Sequence, residues 1–166
     1  ESAYLFRKIA GRKILAGRST AAMLSATIYI TCRITDTPRT IQDIANAANI
    51  KKKVLQRTYR FLVKELDLSP EAYMPSEFVT RVAKGLELSE KTQRLAFKIL
   101  ELCAKKHVST SKNPMAMAAG AIHLSATINM ERVSQTKISE ISGISAVTIR
   151  ERRKEIVKKI GEIKVG

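Results

Sequence analysis

The chain has 166 residues, 45% of them hydrophobic, enough for one good core or two small ones and too apolar for a disordered segment. Its 30 Lys/Arg against 15 Asp/Glu give a formal net charge of +15, which points to a polyanionic partner. No apolar run reaches the roughly 18 residues of a membrane span, and the lack of Trp with only 5% aromatics disfavours stacking platforms for single strands, leaving duplex DNA.

Residues 2–13 (SAYLFRKIAGRK) predict a helix with Leu5, Phe6 and Ile9 inward. The N-terminus has no signal-peptide layout and begins within this helical pattern, so a fragment of a longer protein is expected. Gly17-Arg18-Ser19 breaks the pattern, and Ser19 is placed to cap the next helix. Residues 20–34 (TAAMLSATIYITCRI) are nearly all small or apolar, which predicts a helix buried on most sides. After the loop Asp36-Thr37-Pro38, Thr40 caps a short helix carrying Ile41, Ile44 and Ala48, and Asn49 ends it. Lys51-Lys52-Lys53 opens a further helix with Val54, Leu55, Leu62 and Leu66 inward. Three cations at a helix N-terminus oppose the macrodipole, so a partner's negative charge explains them better than local stability does. The alternative is a solvated charge run.

The stretch 67–74, with Pro70 and Pro75, reads as a linker dividing residues 1–69 from residues 70–166. The first part holds 13 Lys/Arg and 5 Asp/Glu (+8), the second 17 and 10 (+7). An excess spread over both parts describes a body lying along a polyanion, not a basic tail. No segment pairs basic residues with the bulky aromatic face that an acidic membrane surface favours.

Pro75 begins a helix carrying Phe78, Val82 and Leu86. Ser89 caps another over residues 90–106, with Leu95, Ile99, Leu102 and Cys103 inward. Asn113-Pro114 starts a second small-residue helix, MAMAAGAIHLSATI, within which His123 reads as a packed core histidine. Cys32 and Cys103 read as small buried hydrophobes. With no CxxC pair, and no partner for His107 or His123 at ligand spacing, neither a metal nor another cofactor is expected.

Residues 134–160 predict two helices joined by a tight turn. Ile138 and Ile141 share one face, Gly143 is free to adopt positive φ, and Ser145 caps the second helix. There Ile149, Ile156 and Ile160 form an inward stripe, while Val147, Arg150 and Lys154 share a different face. Six Lys/Arg against Glu151 and Glu155 make this second helix basic. The arrangement is that of a helix-turn-helix reader of the major groove, or of an ordinary helical hairpin with a solvated basic face.

A shift of 94 places residues 17–66 on 111–160 without a gap. Met23 falls on Met117, Ile28 on Ile122, Tyr29 on His123, Ile44 on Ile138, Ile50 on Ile144 and Val63-Lys64 on Val157-Lys158. Two copies of one all-helical unit are expected, the second with five helices and the first lacking its opening helix.

On these residues (GRSTAAMLSATIYITCR and TPRTIQDIANAANIKKKVLQRTYRFL in the first copy, NPMAMAAGAIHLSATI and SQTKISEISGISAVTIRERRKEI in the second) the chain closely resembles the cyclin-like core of archaeal transcription factor B. That family is the counterpart of the eukaryotic general initiation factor IIB. The resemblance covers essentially the whole chain and implies two tandem cyclin-like repeats. It also implies a core that binds the TATA-binding protein on promoter DNA and reads the upstream B recognition element through the helix-turn-helix. An N-terminal zinc ribbon, outside these 166 residues, would reach RNA polymerase. By the same resemblance Val147 and Arg150 are the base-contacting pair. Ser145, Thr148 and Lys154 match or adjoin phosphate contacts, Gly17 and Arg18 match DNA contacts of the first repeat, and Arg33, Lys52 and Lys53 match positions facing DNA or the TATA-binding protein. A cytoplasmic, nucleoid-associated monomer is implied. Val133-Ser134 in place of a second Arg-Thr pair like Arg39-Thr40, and the charged Glu151-Arg152-Arg153, depart from the family pattern and bear on which upstream sequence is preferred.

Two other readings are consistent with the helices: a cyclin-type kinase-binding module, and a stand-alone helix-turn-helix regulator. The charge opposes the first, and duplication within one chain, suited to an asymmetric site, opposes the second. No glycine-rich phosphate loop or nucleophile–base set is evident, so no catalysis is expected.

Overall fold

Small oxygen-bearing side chains set where most of the helices begin. The computed structural model describes residues 2–11, 17, 19–35, 37–108 and 112–161. Within them lie α1 (Ser2–Gly11), α2 (Thr20–Ile34), α3 (Ile41–Ala47), α4 (Lys52–Glu65), a 3₁₀ turn (Pro75–Phe78) running into α5 (Val79–Gly85), α6 (Glu90–Lys105), α7 (Pro114–Ile128), α8 (Gln135–Ser142) and α9 (Ala146–Ile160). Ser19, Thr40, Ser89, Asn113, Ser134 and Ser145 each accept a hydrogen bond from a backbone amide of the first turn that they precede. At Thr40 the cap is reciprocal, since Asp43 accepts the Thr40 amide at 2.8 Å. Lys51, which precedes α4, makes no such bond. No strand occurs among the described residues.

The chain divides into two compact units, Glu1–Tyr73 and Met74–Gly166. The 94-residue shift carries α1 into the span of α6, α2 onto α7 end to end, and α3 and α4 onto α8 and α9 to within one residue. The 3₁₀ turn and α5 of the second unit have no counterpart among the described residues of the first. Helix ends repeat as well: Asn49 (φ 52°) occupies the left-handed conformation that Gly143 (φ 69°) takes 94 positions later.

In the first unit Met23, Ala26 and Ile30 of α2 are fully buried against Ile9, Ala45, Leu55 and Leu62. Val54 departs from expectation: it is 43% exposed, because the helical angle that turns Leu55 into the core carries its neighbour outward. The linker is tied down by Arg33, whose Nε and Nη2 donate to the Glu71 carbonyl and whose Nη2 also donates to that of Pro70 at 3.0 Å. Its guanidinium stands 5.2 Å from the centroid of the Tyr73 ring. Tyr73 in turn donates to the Thr37 carbonyl at 2.6 Å, and burial pushes its phenol pKa up to about 12, keeping it a neutral donor.

The second unit is built around α7, of which every residue from Met115 to Ala126 is buried. Such a helix, apolar all round, requires neighbours on every side, and α5, α6, α8, α9 and the 3₁₀ turn all pack on it. Leu95 and Leu102 of α6 are only half-buried, whereas Ala96 and Leu100 join Ile99 and Cys103 in the core. The loop after α7 is held to the start of α6 by Glu131, which accepts the Ser89 amide at 3.2 Å and the hydroxyls of Ser89 and Thr92. Burial alone would push this carboxyl up, but those hydrogen bonds outweigh it and hold it below the usual carboxylate range.

Backbones come especially close between α7 and α9. A Cβ added at Gly120 would lie 2.8 Å from Arg152 Cβ and 3.2 Å from the Arg153 amide nitrogen. Neither atom can rotate away. Gly120→Val should therefore lever α9 from α7 and destabilise the second unit by about 1–3 kcal/mol, read as a lower urea midpoint. Gly120→Ala should cost less, since the first unit carries Ala26 at the equivalent position.

Candidate nucleic-acid interface

α8 and α9 form a compact corner. Gly143 ends α8 at φ 69°, ψ 14°, its amide donating to the Ser139 carbonyl at 2.8 Å. Two residues later Ser145 Oγ accepts the Thr148 amide at 3.2 Å and lies 2.9 Å from the Thr148 hydroxyl. Ile138 on α8 and Ile149 and Ile156 on α9 are fully buried, whereas Ile160 is only half-buried. These anchors fix the rotation of α9, so its opposite side must face solvent. Val147 is 55% exposed, with Arg150 and Lys154 exposed beside it. An outward-facing valine between cations gains nothing by folding and is suited to apolar contact with a partner.

The acidic residues of α9 do not neutralise this face. Glu155 pairs with Arg152 and, at 3.3 Å, with Lys112, while Glu151 stands 4.0 Å from Arg152. Among the described residues no ion pair engages Arg150, Arg153, Lys154 or Lys158. With Gln135 and Val157, these four cations line an open cleft of about 500 Å³ between α8 and α9. Sequence reasoning notes Arg153 only within the charged Glu151-Arg152-Arg153 and does not single out Gln135 or Lys158. A signal exists in the spacing of residues 150, 153, 154, 157 and 158, but Gln135 joins them only across the turn.

The other predicted site residues fall apart in the fold. Lys52 and Lys53 are exposed at the start of α4 and, with Lys51, cap nothing. Lys53 leads an exposed stripe through Arg57, Arg60 and Lys64, spaced four, three and four. Gly17 is exposed at φ 71°, and Arg18 lies outside the described residues. Arg33 is not a free cation: its donors are engaged by the linker carbonyls and, at 3.4 Å, by the Tyr59 hydroxyl. In the chain by itself Arg33 acts as a clamp on the linker. His123 is buried as expected, and burial and then the charge of Arg153 push its pKa down. No group of three or more His, Cys, Asp or Glu among the described residues is placed to hold a metal. No helix among them is long and apolar enough to cross a membrane.

The fold and this corner define a class: an all-helical protein of two duplicated units, the second ending in an exposed basic helix-turn-helix. The model of the transcription factor TFIIB repeat matches residues 1–65 and 69–159. A transcription initiation factor IIB from Pyrococcus abyssi is 35% identical over 163 residues, covering 97% of this chain and 54% of that protein. Transcription initiation factor IIB 2 of Thermococcus kodakarensis is 35% identical over 160 residues (96% and 52%). The factor IIB of Archaeoglobus fulgidus is 31% identical over 160 residues (96% and 49%). The chain belongs to the transcription factor IIB repeat family, with two cyclin-like all-α repeats. It spans about half the length of the curated relatives it matches.

Gly143 is the conformational pivot of the corner. Gly143→Ala should cost about 1–2 kcal/mol through the left-handed backbone. Gly143→Asn should be milder, because the first unit carries Asn49 in that conformation. Thermal unfolding of the two variants side by side checks the order.

Proposed function

We propose that this chain is the core of a general transcription initiation factor that docks on a complex of the TATA-binding protein with promoter DNA and reads the upstream element through α8 and α9. The observation that carries this reading is the Val147–Arg150–Lys154 face, exposed on a rigidly anchored helix in a member of the factor IIB repeat family. Arg150 has the fork geometry to donate to guanine O6 and N7, and Val147 offers apolar contact to a thymine methyl. Ser145 and Thr148 sit at the positive end of α9, where phosphate is favoured. In the first unit Gly17 and Arg18 contact DNA, and Lys52 and Lys53 meet DNA or acidic surface on the TATA-binding protein. Recruitment of RNA polymerase would depend chiefly on sequence outside these residues. The domain division at 69/70 separates the two repeats in this reading.

A gel-shift titration on promoter DNA, with and without the TATA-binding protein and with the upstream element scrambled, tests the reading. Binding should require that protein and weaken on scrambling. Arg150→Ala should cost about 1–3 kcal/mol on the intact element and relax the preference for it, while Lys154→Ala should weaken both DNAs alike. Equal binding with or without the TATA-binding protein overturns the initiation-factor role. No DNA binding at all favours a kinase-binding, cyclin-type module.

A further inference from the structure

The two units carry different chemistry at one pair of equivalent positions. In the first, Tyr29 of α2 and Tyr59 of α4 meet edge-on with ring centroids 5.0 Å apart. The Tyr59 hydroxyl accepts from Arg33, which also grips the linker, so the region is occupied by the unit's own chain. In the second unit the same positions, 94 residues on, hold His123 and Arg153. Thr127 replaces Arg33, and its hydroxyl is turned back onto its own helix, donating to the His123 carbonyl at 2.8 Å. Nothing described in the second unit plays the part of the linker. Arg153 is half-buried in the wall of the open cleft between α8 and α9.

Arg153 is poorly compensated as it stands. It has no ion pair among the described residues, and the side chain it acts on from the core side, His123, is itself buried with an unpartnered Nδ1. A half-buried guanidinium beside a histidine held neutral gains from an anion on its solvent side. The cleft supplies the rest of an anion seat: the Gln135 amide at the first turn of α8, and Lys158 on the next turns of α9. Among the described residues no carboxylate lines it. From Arg150 to Lys158 the cations follow α9 for about 12 Å at 1.5 Å per residue, which suits a strand backbone rather than a single small ion.

We propose, on the reading of α9 as a DNA-facing helix, that Gln135, Arg153 and Lys158 form a seat for DNA phosphodiesters alongside the base-reading pair Val147 and Arg150. The seat adds affinity without sequence preference. In the first unit the positions equivalent to Gln135 and Arg153 hold Ile41 and Tyr59, which do not form the same seat.

The test is fluorescence anisotropy of the 166-residue chain on duplexes with intact and scrambled upstream elements, each saturated with the TATA-binding protein, over a range of salt. Removing one phosphate-binding cation reduces the steepness of log K against log salt by about 0.9. Arg153→Gln should reduce it by about one, and Arg153→Gln with Lys158→Gln by about two, equally on both duplexes. Arg153→Lys should restore most of it, which a purely structural role of the arginine does not predict. His123→Tyr with Arg153→Tyr installs the pair that the first unit already folds around, and should flatten the salt dependence like Arg153→Gln while keeping the helical circular dichroism. An unchanged slope in the Arg153 variants overturns the seat, as does an effect confined to the intact element. A flattened slope in a chain with no preference for the upstream element supports the seat while refuting element reading. Failure of the wild-type chain to bind either duplex with the TATA-binding protein in place overturns both.

Discussion

The structure of the second unit depends on the burial of α7 from end to end. A helix with apolar or small residues on every face is stable only when surrounded, and Gly120 lets α9 approach more closely than any larger residue allows. That approach fixes which side of α9 is inside. Because Ile149 and Ile156 are committed to the core, the rotation of the helix is decided, and Val147, Arg150 and Lys154 are presented outward by the same constraint. The outward face is thus a consequence of core packing, held in place by residues buried out of any partner's reach.

The duplication shows how one scaffold carries two surfaces. Helix positions and left-handed ends repeat, as do the caps of α2 and α3 at α7 and α8, while the side chains facing outward have diverged. The first unit closes the region beside Tyr59 with Arg33 and the linker carbonyls; the second carries Arg153 at the position of Tyr59, in the wall of a cleft lined with cations. Lys53, which corresponds to Val147, begins a basic stripe with no apolar element at its head. The first unit's α4 is therefore suited to charge alone, whereas α9 combines charge with an apolar side chain and a turn rigid enough to aim it.

Much of this is legible in the residues. Ser19, Thr40, Ser89, Asn113 and Ser145 announce the helix starts, because a cap is a local interaction between a side chain and amides two or three residues away. Less legible are features that depend on the neighbouring helix. Val54 is apolar in character yet outward by angle, and Ala96 and Leu100 displace Leu95 and Leu102 from the centre of the core. Arg33 reads as a partner contact by its place in the family pattern. Its actual partners, the carbonyls of Pro70 and Glu71, lie nearly forty residues away and leave no mark in the local sequence.

The sequence by itself determined the helical class, the twofold repeat and the basic helix-turn-helix, since periodicity, capping and a constant 94-residue register are properties of one chain read along its length. Only the tertiary structure decided which cations remain free. Pairing depends on distance between helices: Glu155 is consumed by Arg152 and Lys112, Arg33 by the linker, and Gln135 is brought to Arg153 and Lys158 only when α8 folds back across the turn at Gly143.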